Sequence, residues 1–191
     1  SYIQGAAQTG RWELAAVYSR KKETGLAFGA KYGVSTVYTS LTELAASDIP
    51  AVYIASTNAF NYEQSRMMLE AGKHVVCEKP ITVTPEGYEE LRQLAAKKGL
   101  IYMEAIMMLH QPHLRSIEDA LQKIGRITSA RLDFCQLSSK YPAYLRGELP
   151  NIFNPQMATG SLMDLGIYCV YPAVAWFGMP EKITAETSFL P

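Results

Sequence analysis

Residues 51–80 read AVYIASTNAF NYEQSRMMLE AGKHVVCEKP, and this stretch decides the fold class. Ala51 to Ala55 is the most strand-like run in the chain. A helix spans about Asn61 to Ala71 and stops at Gly72, and Lys73 to Cys77 is again a buried-strand run. Two strands joined by a helix of ten or so residues run parallel in one sheet.

The same alternation extends outward on both sides. Upstream, Trp12 to Tyr18 reads as a strand. Ser19 caps a helix with Leu26, Ala27 and Ala30 on its apolar face, and Gly33 lies just past its end. Ser40-x-x-Glu43 is a capping box that opens a short helix before Asp48-Ile49-Pro50. Downstream, Thr84-Pro85-Glu86 forms the N-cap, N1 and N2 of a helix running through Lys98 and closed by Gly99. Leu100 to Met103 is a further strand. The fold class is therefore α/β, a Rossmann-type doubly wound parallel sheet. Ligands of such sheets collect at the carboxyl ends of the strands. Here those ends are Tyr18-Ser19-Arg20, Ala55-Ser56-Thr57-Asn58 and Cys77-Glu78-Lys79-Pro80.

The second half changes character. Leu114, Ile117, Leu121 and Ile124 form one helical face ending at Gly125. From Ile127 to Leu137 the period switches to two, with Arg131 and Asp133 on the wet face of a strand. Residues 138–159 carry Pro142, Pro150 and Pro155 and read as a long loop, a length usually functional or disordered. Gly160 to Gly178 is apolar nearly all round, which predicts a buried helix, and Ile183 to Leu190 reads as a last strand.

Composition excludes several classes. Eighteen Lys+Arg balance 18 Asp+Glu, which argues against nucleic acid as a partner. No apolar run approaches the ~18 residues of a membrane span, so no membrane partner is expected. The opening Ser1-Tyr2-Ile3-Gln4-Gly5 has no signal-peptide pattern. Cys77, Cys135 and Cys169 have apolar neighbours and read as buried thiols of a reducing compartment, which predicts a cytoplasmic protein. Met67-Met68 and Met107-Met108 read as core filling. His74 reads as structural, and His110 and His113 have no third ligand nearby, so no metal is expected.

Chemistry concentrates at two places. A lysine at the mouth of a sheet, partly desolvated like Lys79, can donate or accept a proton; taken alone it reads first as a solvated strand-end charge. Asp164 and Tyr168, at i and i+4, project from one face of the apolar helix and need partners there. Either they serve a substrate hydroxyl together with Lys79, or they form a structural pair.

Three runs together, 51–58, 69–80 and Gly160-Ser161-Leu162-Met163-Asp164-Leu165-Gly166-Ile167-Tyr168, resemble the Gfo/Idh/MocA oxidoreductases. Tyr168, where many members carry His, resembles the dihydrodiol dehydrogenase and glucose–fructose oxidoreductase branch. The resemblance implies a dinucleotide-binding Rossmann domain over 1–106, lacking its first strand and Gly-rich turn. It implies that 107–191 begins a substrate-binding and oligomerisation α/β domain with an open, mostly antiparallel sheet, short at its C-terminal end. It also implies hydride transfer between nicotinamide and a secondary alcohol or carbonyl of a sugar, polyol or cyclic diol. Lys79, Tyr168 and Asp164 are then catalytic, and Ser19, Arg20, Ser56, Thr57, Asn58, Glu78 and Lys79 bind the cofactor. No acid follows Tyr18 before Glu23, so a 2′-phosphate is not repelled and Arg20 can pair with it; NADP is expected over NAD. A small-molecule substrate and a homo-oligomer complete the implied picture. The family also contains dinucleotide-sensing regulators without turnover, and an inactive fragment is a further alternative.

The chain departs from the family pattern in places. Gly-x-Gly-x-x-Gly is absent, the usual Thr-Pro-Asn is Ser56-Thr57-Asn58, and a frequent histidine is Asn61. The usual three glycines are Ala158-Thr159-Gly160, and Leu109 and His110 stand near the place of a frequent arginine.

Overall fold

The computed structural model describes residues 2–188. Helices and strands alternate as the periodicity requires: α1 (Tyr2–Gln8), β1 (Val17–Tyr18), α2 (Lys22–Gly29), β2 (Val37–Tyr38), α3 (Leu41–Ala46), β3 (Ala51–Ile54), α4 (Asn61–Glu70), β4 (His74–Glu78), α5 (Pro85–Lys98) and β5 (Tyr102–Ala105). Every strand pair is parallel, and β4 lies between β3 and β5. The fold is a Rossmann-like parallel sheet. The termination signals act as expected: Ser40 Oγ accepts from the Glu43 N–H, Thr84 Oγ1 accepts from the Gly87 N–H, and Gly99 takes the left-handed conformation.

The core forms where β3 and β4 meet α4 and α5. Ile54, Met68, Leu69, Val75, Cys77 and Leu91 are all at most 4% exposed. Burying each of the larger side chains stabilises by about 1.5–3 kcal/mol. Lys73 is also buried, but its ammonium donates to the Ser47 and Ile49 carbonyls, 2.8 and 2.7 Å away, and so ties the end of α3 to the start of β4.

The sheet is in two pieces. β1 pairs only with β2, and β3 pairs only with β4, within the described residues. Between β1 and β3 lies a cleft of about 550 Å³, lined by Val17, Val52, Ile54 and Met68 among others.

Around this frame the periodicity misplaces several features. Only residues 17–18 of the run 12–18 form a strand, and Trp12 is exposed. Ser19 does not cap α2, whose N-cap is Lys21; its Oγ accepts from the Lys21 N–H in a local turn instead. Leu26, Ala27 and Ala30 are exposed, whereas Gly25 and Gly29 are buried. A Cβ at Gly25 would stand 2.5 Å from Val37 Cγ1, and one at Gly29 2.3 Å from the Val34 carbonyl oxygen. The helix lies so close to β2 that only its glycine edge fits, which an apolar count cannot register.

The second half holds α6 (Pro112–Leu121), α7 (Tyr141–Leu145) and α8 (Ile167–Phe177). Leu114 is buried in α6, but Ile117 and Ile124 are exposed. The expected strand over 127–137 is absent. Arg131 and Asp133 pair at 2.9 Å as i, i+2 neighbours of an extended chain, but no described strand hydrogen-bonds this segment. No strand forms over 183–188 either, and the remainder of that expected strand lies outside the described residues. The region 160–178 is helical but half-buried, with Pro172 its only buried residue. Without a covering layer among the described residues, Cys135 is exposed, Cys169 is half-buried, and Met107 is exposed rather than filling a core. Met67 is also exposed, on the outer side of α4, while Met68 is buried.

Burial pushes the Cys77 thiol up to about 12, well above the usual thiol range. Iodoacetamide at pH 8 is therefore expected to alkylate Cys135 and spare Cys77 in the native protein, and to alkylate both in urea, as read by mass spectrometry. Labelling of native Cys77 at the Cys135 rate would contradict the packing around β4.

Candidate active site

β4 is the middle strand of its sheet, and its carboxyl end delivers Glu78 and Lys79 to one rim. The Lys79 side chain is 13% exposed. Its Nζ lies 2.7 Å from Asp164 Oδ1 and 2.7 Å from the Asp164 carbonyl oxygen, donating to both. Asp164 sits in a widened π-type turn, Leu162–Gly166, that runs directly into α8. Such turns are frequent at functional sites. One turn on, Tyr168 places its ring 5.0 Å from the Lys79 ammonium, within cation–π range. Phe134, from the extended segment, packs against the same ring at 5.3 Å. The structure thus brings Lys79, Asp164 and Tyr168 together across 85 and 89 residues of sequence.

Glu78 accepts a hydrogen bond from the Tyr53 hydroxyl. Burial first, and that bond second, push the Tyr53 phenol above its ordinary range. Tyr2 of α1 stacks on Tyr53 with ring centroids 4.1 Å apart.

The remaining predicted site residues occupy other parts of the rim. Ser19 and Ser56, at the ends of β1 and β3, both line the cleft between the two sheet pieces, and Ser56 Oγ donates to Gln64 Oε1 at 2.7 Å. Arg20 is exposed and forms no ion pair among the described residues. Thr57 and Asn58 hold the loop 151–159. Asn58 Nδ2 donates to the Ala158 carbonyl at 2.8 Å, and Asn151 Nδ2 donates to Thr57 Oγ1 at 3.4 Å. Ala158 is held left-handed at φ 51°, a conformation that favours glycine. Lys79, Asp164 and Tyr168 do not line the cleft at Ser19 and Ser56.

Two polar residues beside Lys79, one buried and one half-buried, were not among the expected site residues. Asn61 is wholly buried and donates to the Pro80 carbonyl at 2.9 Å. Glu104 accepts from the Ile81 N–H at 2.7 Å and from the Tyr171 hydroxyl. Burial raises the Glu104 carboxyl above its ordinary range; the Ile81 bond acts in the opposite sense. The available signal was a lone Glu inside the otherwise apolar run Ile101–Ile106.

Comparison with known proteins identifies the family. The model of the Gfo/Idh/MocA oxidoreductase family, NAD-binding Rossmann fold, matches residues 2–106, and the chain belongs to that family. It is similar to a scyllo-inositol 2-dehydrogenase (NADP(+)) of Bacillus subtilis, 40% identical over 186 residues, which are 97% of this chain and 57% of that protein. It is also similar to trans-1,2-dihydrobenzene-1,2-diol dehydrogenase of Mus musculus, 31% identical over 91% of this chain and 51% of that protein. A crystal structure of a 3-ketoreductase from Actinomadura kijaniata in complex with NADP and TDP-benzene superposes with a TM-score of 0.77 at 25% identity, covering 92% of this chain and 53% of that one. The chain therefore spans little more than half the length of these relatives.

Hydrogen bonds to charged groups contribute about 1.5–3 kcal/mol. Asp164→Leu, which removes the carboxylate from Lys79, should lower the unfolding free energy by about that amount in urea titration. An unaltered midpoint and slope would show that the pair adds nothing to folding.

Proposed function

We propose that this member of the Gfo/Idh/MocA family is the core of an NADP-dependent oxidoreductase. Its substrate is a sugar, polyol or cyclic diol, oxidised at a secondary alcohol or reduced at the corresponding carbonyl. The observation that carries the proposal is the contact of Lys79 with Asp164 at 2.7 Å and with the Tyr168 ring at 5.0 Å, at the carboxyl end of the central strand. The relatives' names, a dehydrogenase of scyllo-inositol with NADP(+) and a dehydrogenase of a cyclic diol, support the substrate class and cofactor. On this reading 1–106 is the dinucleotide-binding domain and 107–191 begins the substrate domain. The protein is cytoplasmic, as its free cysteines suggest, and a homo-oligomer, as the family resemblance implies.

The residues present fit such a cofactor at its two ends. Arg20 is an exposed guanidinium following β1, beside the Ser19 hydroxyl, and this donor set suits a 2′-phosphate. Ser56, Thr57, Asn58, Glu78 and Lys79 would flank the remainder along the strand ends. When bound, the nicotinamide accepts or supplies the hydride.

The chain's own residues then handle orientation and the proton. In oxidation the carbinol carbon loses a hydride, and the hydroxyl loses its proton to the Tyr168 oxygen, which enters the step deprotonated beside the Lys79 ammonium. In reduction the Tyr168 hydroxyl donates that proton to the carbonyl oxygen. Asp164 holds the Lys79 ammonium on the side of the Tyr168 ring, so that the cation faces the oxygen on which charge develops.

Lys79→Met and Tyr168→Phe in the full-length enzyme should each lower kcat by roughly 10²–10⁴, with NADP binding retained in Tyr168→Phe. Parental turnover in Tyr168→Phe would make the phenol merely structural. Arg20→Ala should reduce the kcat/KM preference for NADP over NAD by about tenfold, the worth of one charge-assisted hydrogen bond. A parental preference for NAD, unmoved by the substitution, would remove Arg20 from the phosphate site.

A further inference from the structure

The turn that carries Lys79 lies where the β ladder ends, so its backbone must find partners elsewhere. Three side chains on two elements, α4 and β5, supply them. Asn61, the first residue of α4, donates its Nδ2 to the Glu78 carbonyl at 3.3 Å and the Pro80 carbonyl at 2.9 Å. The Tyr102 hydroxyl donates to the Ile81 carbonyl at 3.3 Å. The Ile81 N–H donates to Glu104 Oε1 at 2.7 Å. The second oxygen of the same carboxylate, Oε2, accepts from the hydroxyl of Tyr171 on α8. Tyr171 lies three residues after Tyr168, just under one helical turn. Glu104 therefore holds the backbone beside Lys79 with one oxygen and the helix of Tyr168 with the other.

We infer that Glu104 is a positioning residue, a two-ended brace that sets the distance between the Lys79 turn and the Tyr168 helix, with Asn61 fixing the turn from its other side. The inference rests on Lys79 and Tyr168 acting together as proposed above. A carboxylate suits the task because it presents two acceptors in one plane. Glutamine keeps an acceptor for the Ile81 N–H and can donate to the Tyr171 oxygen, so it preserves both contacts. Leucine preserves volume and loses both. Tyr171→Phe cuts only the link to α8. Without the brace, Lys79 and the Tyr168 hydroxyl can still bind their ligands but no longer hold one relative geometry, and a displacement of about 1 Å can cost about 10²-fold in rate.

The test uses the full-length enzyme with NADP and its alcohol substrate, alongside hydrogen–deuterium exchange of the peptide containing Ile81. Glu104→Leu should accelerate Ile81 amide exchange and lower kcat about 10²-fold while leaving the KM for NADP within about threefold. Glu104→Gln should recover most of kcat. Tyr171→Phe should lower kcat about tenfold with Ile81 exchange unchanged, and it decides the matter if Glu104→Leu does not fold. Parental kcat in Tyr171→Phe, in a preparation where Lys79→Met has lost activity, overturns the brace and leaves the proposed chemistry standing. Retained activity in Lys79→Met overturns the chemistry itself.

Discussion

A buried central strand must hydrogen-bond every backbone polar group along its length, and it must also end. β4 meets this demand through Glu78 by pairing with β3 on one side and β5 on the other. Past Glu78 the ladder stops while the chain is still under the helices, and Pro80 is buried. The deficit is met by polar side chains, buried Asn61 on α4 and half-buried Tyr102 and Glu104 on β5. These residues are there because of how the strand ends. They leave the main chain around Lys79 with little freedom, so the lysine leaves the sheet in one direction.

The electrostatics follow the same geometry. Glu78, Glu104 and Asp164 all lie close to Lys79 in space or sequence, and an unpartnered carboxylate in such surroundings is costly. Each has its own donor. Tyr53 takes Glu78, and the Ile81 N–H with Tyr171 takes Glu104, which leaves Asp164 as the ion-pair partner of the ammonium. One cation among three acids is thereby directed at one of them, on the helix that also carries Tyr168. The π-type turn at Leu162–Gly166 takes part, since both the carboxylate and the carbonyl of Asp164 receive the ammonium.

The half of the chain beyond β5 contributes to this rim by docking rather than by a core of its own. The loop 151–159 is pinned by Thr57 and Asn58 at the end of β3, with Ala158 held left-handed in the process. Phe134 reaches the Tyr168 ring from a segment that pairs with no strand among the described residues. Its neighbours there, among them Leu137 at 80% exposure, remain in solvent. Local packing on the rim is therefore well determined even where the surrounding layer is thin.

The sequence by itself determined the parallel α/β frame. Period, capping box, Pro at N1 and Gly beyond the helix end are local signals, and each acts within a few residues of where it is written, as at Ser40, Thr84 and Gly99. A strand end and an i, i+4 pair also raised Lys79, Asp164 and Tyr168 as candidates along one dimension, and the resemblance to the family then chose the catalytic reading over the structural one. The sequence could not determine which elements have neighbours. Among the described residues, 127–137 carry a strand's alternation without a partner backbone, and the apolar helix 167–177 is not buried by another layer; periodicity reports a face, not what covers it. Nor could it register the glycine edge of α2, where a Cβ at Gly25 would stand 2.5 Å from Val37 Cγ1. Only the tertiary structure decided that Glu104, one acid in an apolar strand, bridges Ile81 and Tyr171. That bridge joins groups 23 and 67 residues away from it, and a hydrogen bond depends on position in space, which sequence separation does not encode.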